Sequence, residues 1–250
     1  MPTFIHGKNT GVYLDEFDMT SYFTDSSFSI DNDTAETTAY GDTNKSYLLG
    51  IRGGTLSLSG MWSAGAGGSD EELQEIIGST TEPLLTVREG AAAIGGRAVI
   101  AQANETSYSI SNPLSDVVTV AADFECTNSD ITNLTFALAH GVQLTAGASI
   151  AHGSLGALSS VDNAASSANG GAATLHVPTN TVNGNTTIKV QHSANDSTWA
   201  DLISFTVVGS SAVTSEIKAV TGTVNRYLRV TASTAGSSGS ITFMVAAARF

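Results

Sequence analysis

The sequence predicts an all-β protein with one short helix, folded as two consecutive β-sandwiches. Three observations carry this. Apolar residues recur at every second position in many short runs, the pattern of half-buried strands. Gly (25 residues) and abundant Ser and Thr separate those runs, and Pro is scarce at four, so turns are frequent and few ladders are interrupted. Charge is divided unevenly: residues 1–130 hold 19 acids and 5 bases, a net −14, whereas residues 131–250 hold 4 acids and 5 bases, a net +1. That asymmetry predicts two domains, 1–150 and 151–250.

After a short N-terminal arm, Val12 to Leu14 reads as a strand and Asp15 to Asp18 as an acidic turn. Met19 to Phe23 is a second apolar segment, and Phe28 and Ile30 alternate with Ser27, Ser29 and Asp31. Thr34 to Tyr40 reads as a polar strand and Thr55 to Trp62 as an amphipathic one, with Leu56, Leu58 and Trp62 on its inner face. Between them, Gly41 to Gly54 reads as a loop carrying Lys45, Tyr47, Leu48, Leu49, Ile51 and Arg52. It is too long for a tight hairpin and too apolar for a solvated connection, which suits a contact with another protein surface or a fold back over its own domain.

A Gly-rich linker leads to the helix expected at Asp70 to Ile77. Ser69 and Glu72 have the spacing of a capping box, acids fill the first turn, and Gly78 supplies the stop. Leu73, Ile76 and Ile77 form its apolar face, which must rest on a sheet because so short a helix is marginal alone. Strands are expected at Pro83 to Val87, Arg97 to Ala103 and Thr106 to Ile110. Val117 to Cys126 is the candidate central strand, and Leu134, Phe136 and Leu138 alternate again. Ala, Gly and Ser dominate residues 139–171, with a weak segment at Ser160 to Ser166, and this shift sets the boundary near 150. Beyond it, strands are expected around Ala173, Leu175 and Val177; Ile188, Val190 and His192; Ile203, Phe205 and Val207; Leu228 and Val230; and Ile241, Phe243 and Val245. No solenoid period or internal duplication is evident.

Several chemistries fit poorly. Cys126 is the sole cysteine, so no intrachain disulfide exists and a buried thiol is expected. Ser149 and Ser154 each miss one glycine of a nucleophile elbow. The histidines at 6, 140, 152, 176 and 192 lack metal-site spacing, and His192 is expected as a hydrogen-bonded core residue. Asp31, Asp33 and Glu36 hint at calcium without the glycine or terminal glutamate of an EF-hand, so a solvated acidic strand edge fits better. Gly65 to Gly68 lacks the Lys-Ser/Thr of a phosphate loop, and nearby acids would repel phosphate. Asp15 and Asp18 lie without the aromatic platforms of a glycoside hydrolase. No enzyme, cofactor or metal is expected. With no signal peptide or apolar span, a soluble protein made in a cytoplasm is expected.

The run from Gly11 to Gly60, GVYLDEFDMTSYF followed by the DTAETTAYGDTNKSYLLGIRGGTLSLSG region, resembles the N-terminal part of major tail proteins of long-tailed, non-contractile bacteriophages. The match is to many small elements over about a fifth of the chain. It implies a tail-tube-like N-terminal sandwich, a helix after the long-loop strands, and a structural virion protein in the phage tail. It further implies stacked hexameric rings, contacts with tape measure, tail terminator and distal tail proteins, and duplex DNA passing through unbound, with no membrane. On this view Tyr40, Lys45, Tyr47, Leu48, Ile51 and Arg52 are subunit-interface candidates. Asp31, Asp33, Glu36, Asp123 and Glu125 are candidates to line the bore.

Two later strings, KVQHSANDSTWADL (Lys189 to Leu202) and TVNRYLRV (Thr223 to Val230), resemble discoidin-like or galactose-binding-like jelly rolls. They also resemble C-terminal domains of phage tail proteins. Asn195, Asp196 and Ser197 are expected to turn, Trp199 to anchor a core, and Arg226 and Arg229 to pack their stems while keeping their charges wet. This implies a jelly-roll-like outer decoration domain that the assembly domain does not need in order to fold. A capsid-decorating or glycan-binding β-sandwich module is the alternative reading.

Overall fold

The computed structural model describes residues 4–127 and 138–250. Seven strands precede the undescribed segment: β1 Gly11–Leu14, β2 Phe17–Asp18, β3 Phe23–Glu36, β4 Tyr47–Met61, β5 Leu84–Glu89, β6 Arg97–Ser111 and β7 Thr119–Thr127. Helix α1, Ser69–Ile76, lies between β4 and β5. Nine strands follow: β8 Leu138–Gln143, β9 Ser149–Ala151, β10 Val161–Asp162, β11 Gly171–Asn180, β12 Thr186–Ser193, β13 Ala200–Ser204, β14 Thr214–Val220, β15 Tyr227–Thr234 and β16 Ser240–Arg249. The expected all-β architecture with one helix is observed. The alternation expected at Leu134 and Phe136 lies outside the described residues.

The sheets divide differently from the sequence. One antiparallel sheet of 12 strands runs β14-β11-β16-β8-β6-β5-β1-β2, with β7, β4 and β3 branching from β6 and β9 added to β16. The second sheet has four strands in the order β10-β15-β12-β13. Strand β6 organises the N-terminal half. Two expected strands merge into it across a bulge between Glu105 and Ser107. Strands β7 and β8 lie end to end along one edge of it, pairing Thr127 with Gln102 and Leu138 with Ala101. The residue-150 boundary falls inside β9, whose Ile150 pairs with Ile241.

Three apolar cores result. The N-terminal core joins Leu56, Leu58, Val120, Ala122 and Phe124 to Leu73 of α1. That leucine is fully buried and contributes about 1.5–3 kcal/mol relative to exposure. The C-terminal core fills the space between the two sheets, with Leu175, Val190, Val230 and Phe243 at its centre. A third core sits where the halves meet: Tyr13, Ala98, Ile100 and Ala139 pack against Ala172, Met244, Ala246 and Ala248. The small alanines let backbones of both halves approach closely.

Helix α1 corrects the capping expectation. Its N-cap is Gly68, with no side-chain capping bond. Ser69 instead donates to the Met61 carbonyl and accepts the Ser63 amide, tying the helix to the end of β4. Glu72 is buried, and its burial, with neighbouring carboxylates adding to it, pushes its pKa up to about 7. Gly78 does adopt a left-handed conformation, φ 73°, as a helix stop requires. Trp199 is a second correction. It is half-buried, and the Arg229 guanidinium lies 4.1 Å from its ring centroid, a cation–π contact at the surface rather than a core anchor. The turn before it is as expected, with Asn195 Oδ1 accepting the Ser197 and Thr198 amides.

Candidate assembly surface

The expected loop at Gly41 to Gly54 is mostly strand. Strands β3 and β4 form one long hairpin in which Ile30, Asp31 and Asn32 pair with Gly54, Gly53 and Arg52. After a bulge, Thr34, Ala35 and Glu36 pair with Leu49, Leu48 and Tyr47. Only residues 37–46 are left to close it. Three glycines of β4 sit where a side chain would crowd its neighbours. A Cβ at Gly50 or Gly53 would come within 3.0 Å of the Asp33 or Asp31 side chain, and one at Gly54 within 3.1 Å of Leu138 Cβ. The distal arm is therefore a two-stranded ribbon that leaves the body of the fold.

That ribbon is apolar and uncovered. Tyr47, Leu48, Leu49 and Ile51 are 54%, 63%, 73% and 81% exposed, and Tyr40 at the tip is fully exposed. Because paired residues share a face, Tyr47 and Leu49 point to one side of the ribbon and Leu48 to the other. Lys45 bridges to Glu36 at 3.1 Å, and Arg52 Nε donates to Asn32 Oδ1 at 3.4 Å, so both cations brace the ribbon. Leu49 and Ile30 belong to the same surface but were absent from the candidate set. Ile30 is 40% exposed where alternation alone implied burial. An isolated two-stranded ribbon is marginally stable in water, so these side chains call for a partner surface.

The register also sorts the acids. Phe28, Leu56, Leu58 and Phe124 face the core, so the odd positions of β3 face outward with their partners. That outer face carries Asp25, Ser27, Ser29, Asp31 and Asp33 from β3, Thr55, Ser57 and Ser59 from β4, and Asp123 and Glu125 from β7. Ser29 meets Thr55 at 2.8 Å, and Asp123 accepts from Ser57 at 2.6 Å and Ser107 at 2.7 Å. Those two hydroxyls hold the Asp123 carboxyl below its usual range. None of these strand positions is Lys or Arg. Glu36 lies on the opposite face with Tyr47, so it does not join Asp31 and Asp33 in a common site.

Elsewhere, His192 is half-buried and accepts the Asn225 amide at Nδ1, whereas His176 is the fully buried histidine. The alternation of β11 did not reveal this, because that strand is covered on both faces. Burial pushes the Cys126 thiol up to about 12. The Gly67 amide, in the supposed phosphate loop, is taken by Glu71 of the same chain at 2.8 Å. Among the described residues no group of three or more His, Cys, Asp or Glu side chains could hold a metal, and no helix is long and apolar enough to cross a membrane.

Comparison with solved structures finds distant likenesses among phage-tail and related particles. A chain from the virion of a native gene transfer agent particle is 16% identical, covers 50% of this chain and 95% of its own, and gives a TM-score of 0.40. The SPP1 tail tube is 8% identical over 48% of this chain and 74% of its own, at a TM-score of 0.40. The SPP1 Dit (gp 19.1) protein, a hub adsorption apparatus of phages infecting Gram-positive bacteria, is 11% identical over 96% of this chain and 99% of its own, at a TM-score of 0.34. Each likeness is distant. No family model and no curated protein matches the sequence.

Proposed function

We propose that this chain is the major tail-tube subunit of a long-tailed, non-contractile bacteriophage, assembling into stacked hexameric rings that conduct DNA. The observation that carries the reading is the two-sided β3–β4–β7 sheet with its projecting apolar ribbon. One face of that sheet builds the core under α1. The other is acidic and hydroxyl-rich without a cation, which suits a wall that duplex DNA must pass without being gripped. Carboxylates repeated around a ring repel phosphates over roughly a Debye length, about 8–10 Å at physiological salt. Asp31, Asp33, Asp123 and Glu125 are the residues proposed to line the bore.

The ribbon is proposed to bury Tyr40, Tyr47, Leu48, Leu49 and Ile51 against a neighbouring copy, with Lys45 and Arg52 holding its shape. Residues 1–150 would then carry assembly and residues 151–250 would decorate the outside. The tube would meet tape measure, tail terminator and distal tail proteins at its ends and inside. Electron microscopy of the purified chain tests this. Tubes or stacked rings with a negatively charged lumen are expected, and a neutral or basic lumen would overturn the conduit role even if tubes form.

A further inference from the structure

Three cationic or imidazole side chains meet at the seam between the two halves. Arg97 of β6 pairs with Val142 of β8, which pairs in turn with Ala247 of β16. Carried two residues on, the same register sets His140 beside Arg249. The three side chains therefore share one sheet face across three adjacent strands, and they line a cleft of about 240 Å³ with Asn163. The chain has 10 Lys and Arg against 23 Asp and Glu, so two arginines in one cleft form a local exception to its charge.

The cleft is built rather than incidental. Arg249 donates from both terminal nitrogens to backbone carbonyls, those of Ala165 and Asn163, which fixes its guanidinium. The His140 ring is held edge-on against Phe28, with centroids 5.2 Å apart. On the neighbouring strand β5, Glu89 takes Arg97 Nε at 3.4 Å, and the Arg97 side chain remains 62% exposed. A guanidinium fork presents paired donors that match a carboxylate.

We propose that this seam cleft receives a carboxylate from a second copy of the chain. This rests on the reading that copies associate. Charge complementarity favours that occupant. Every copy carries acids on its projecting β3–β4 hairpin, and a carboxylate there can be offered to a cationic cleft apart from the rest of the chain's negative charge. Asp42, at the tip of that hairpin and off the acidic sheet face, keeps Oδ2 on the Ala39 amide at 2.8 Å and has Oδ1 to offer a neighbour.

The test couples charge-preserving and charge-reversing variants of the full chain. R97K keeps the cation and adds an amine that a zero-length carbodiimide can join to a carboxylate in contact. An equal mixture of 15N-labelled and unlabelled R97K, cross-linked and read by mass spectrometry, separates links between copies from links within one. The intramolecular link to Glu89 serves as internal control. A link from position 97 to a carboxylate of the other copy is expected, Asp42 first among them. R97E, which faces Glu89 across the β5–β6 pair, is expected to raise the concentration for half-assembly about tenfold or more while costing the fold only a small shift in the melt. Tubes that yield only the Glu89 link would overturn the cleft proposal and leave the tail-tube reading standing. Intermolecular links in a particle that is not a tube would do the reverse, and a chain monomeric at every concentration would sink both.

Discussion

His176 Nε2 lies 2.7 Å from the Thr86 hydroxyl, and this contact joins β5 of the N-terminal half to β11 of the C-terminal half. The other ring nitrogen, Nδ1, is 2.5 Å from the Asp15 carbonyl oxygen. A carbonyl accepts only, so Nδ1 carries the proton and Nε2 accepts from Thr86. Thr86 in turn receives the Thr174 hydroxyl at 2.9 Å. One buried chain of hydrogen bonds thus locks strands β5 and β11 and the β1–β2 turn, in the neutral imidazole form that burial favours.

Burial pushes the His176 pKa down to about 4, from an ordinary value near 6.5. The unfolded chain binds the proton more readily than the fold does, so the stability from this histidine is complete above pH 6.5 and is lost as pH falls toward 4. H176A is expected to destabilise by about 2 kcal/mol or more, because it leaves the Asp15 carbonyl and the hydroxyl proton of Thr86 without their partner in the interior. Its stability is also expected to fall less steeply than the parent's between pH 6.5 and 4. Thermal melts over that range check both, and parallel curves would rule out the lock.

Glu105 has the opposite sign. It is 7% exposed, both its carboxyl oxygens lack a partner among the described residues, and burial raises its pKa to about 8. The fold therefore holds a proton that the unfolded chain releases near pH 4.5, and stability falls as pH rises from 4.5 through 8. E105Q is expected to raise the melting temperature at pH 8–9 and to change it little at pH 4–5. An equal shift at both ends would mean that Glu105 is not protonated in the fold.

Tyr47 and Leu48 point to opposite sides of the distal ribbon and are largely exposed in the single chain. Replacing both by Ser should change monomer stability by less than about 0.5 kcal/mol, as for other surface sites, yet abolish assembly. Gel filtration and electron microscopy of the double variant decide it. Tubes at parental yield would remove the ribbon from the interface.

Ending the chain at residue 150 would strip β16 from β8 and uncover Tyr13, Ala98, Ile100 and Ala139. It would also leave Thr86 without His176 and Thr174. The truncated protein is expected to be insoluble or unfolded, as judged by yield and circular dichroism. A soluble, cooperatively melting fragment would show that the seam core is dispensable.

Period-2 patterning by itself determined that this is a β protein, because side chains on a strand alternate whatever the strand pairs with. It located the inward rows of β4 and β7 and the buried C-terminal strands, while the acidic first turn, the Leu73–Ile76–Ile77 face and the stop at Gly78 located the short helix. It could not decide partnership. Gly41 to Gly54 read as a loop because the pairing of Tyr47 to Gly54 with β3 appears only in the three-dimensional register. His176 was unremarkable among five histidines until β5 and β11 were brought face to face. The acids of β3 and β7 were legible as candidates, but which of them share a face was set by a bulge and a register. The seam core was hidden because alanines pack there by backbone proximity, which no local pattern encodes.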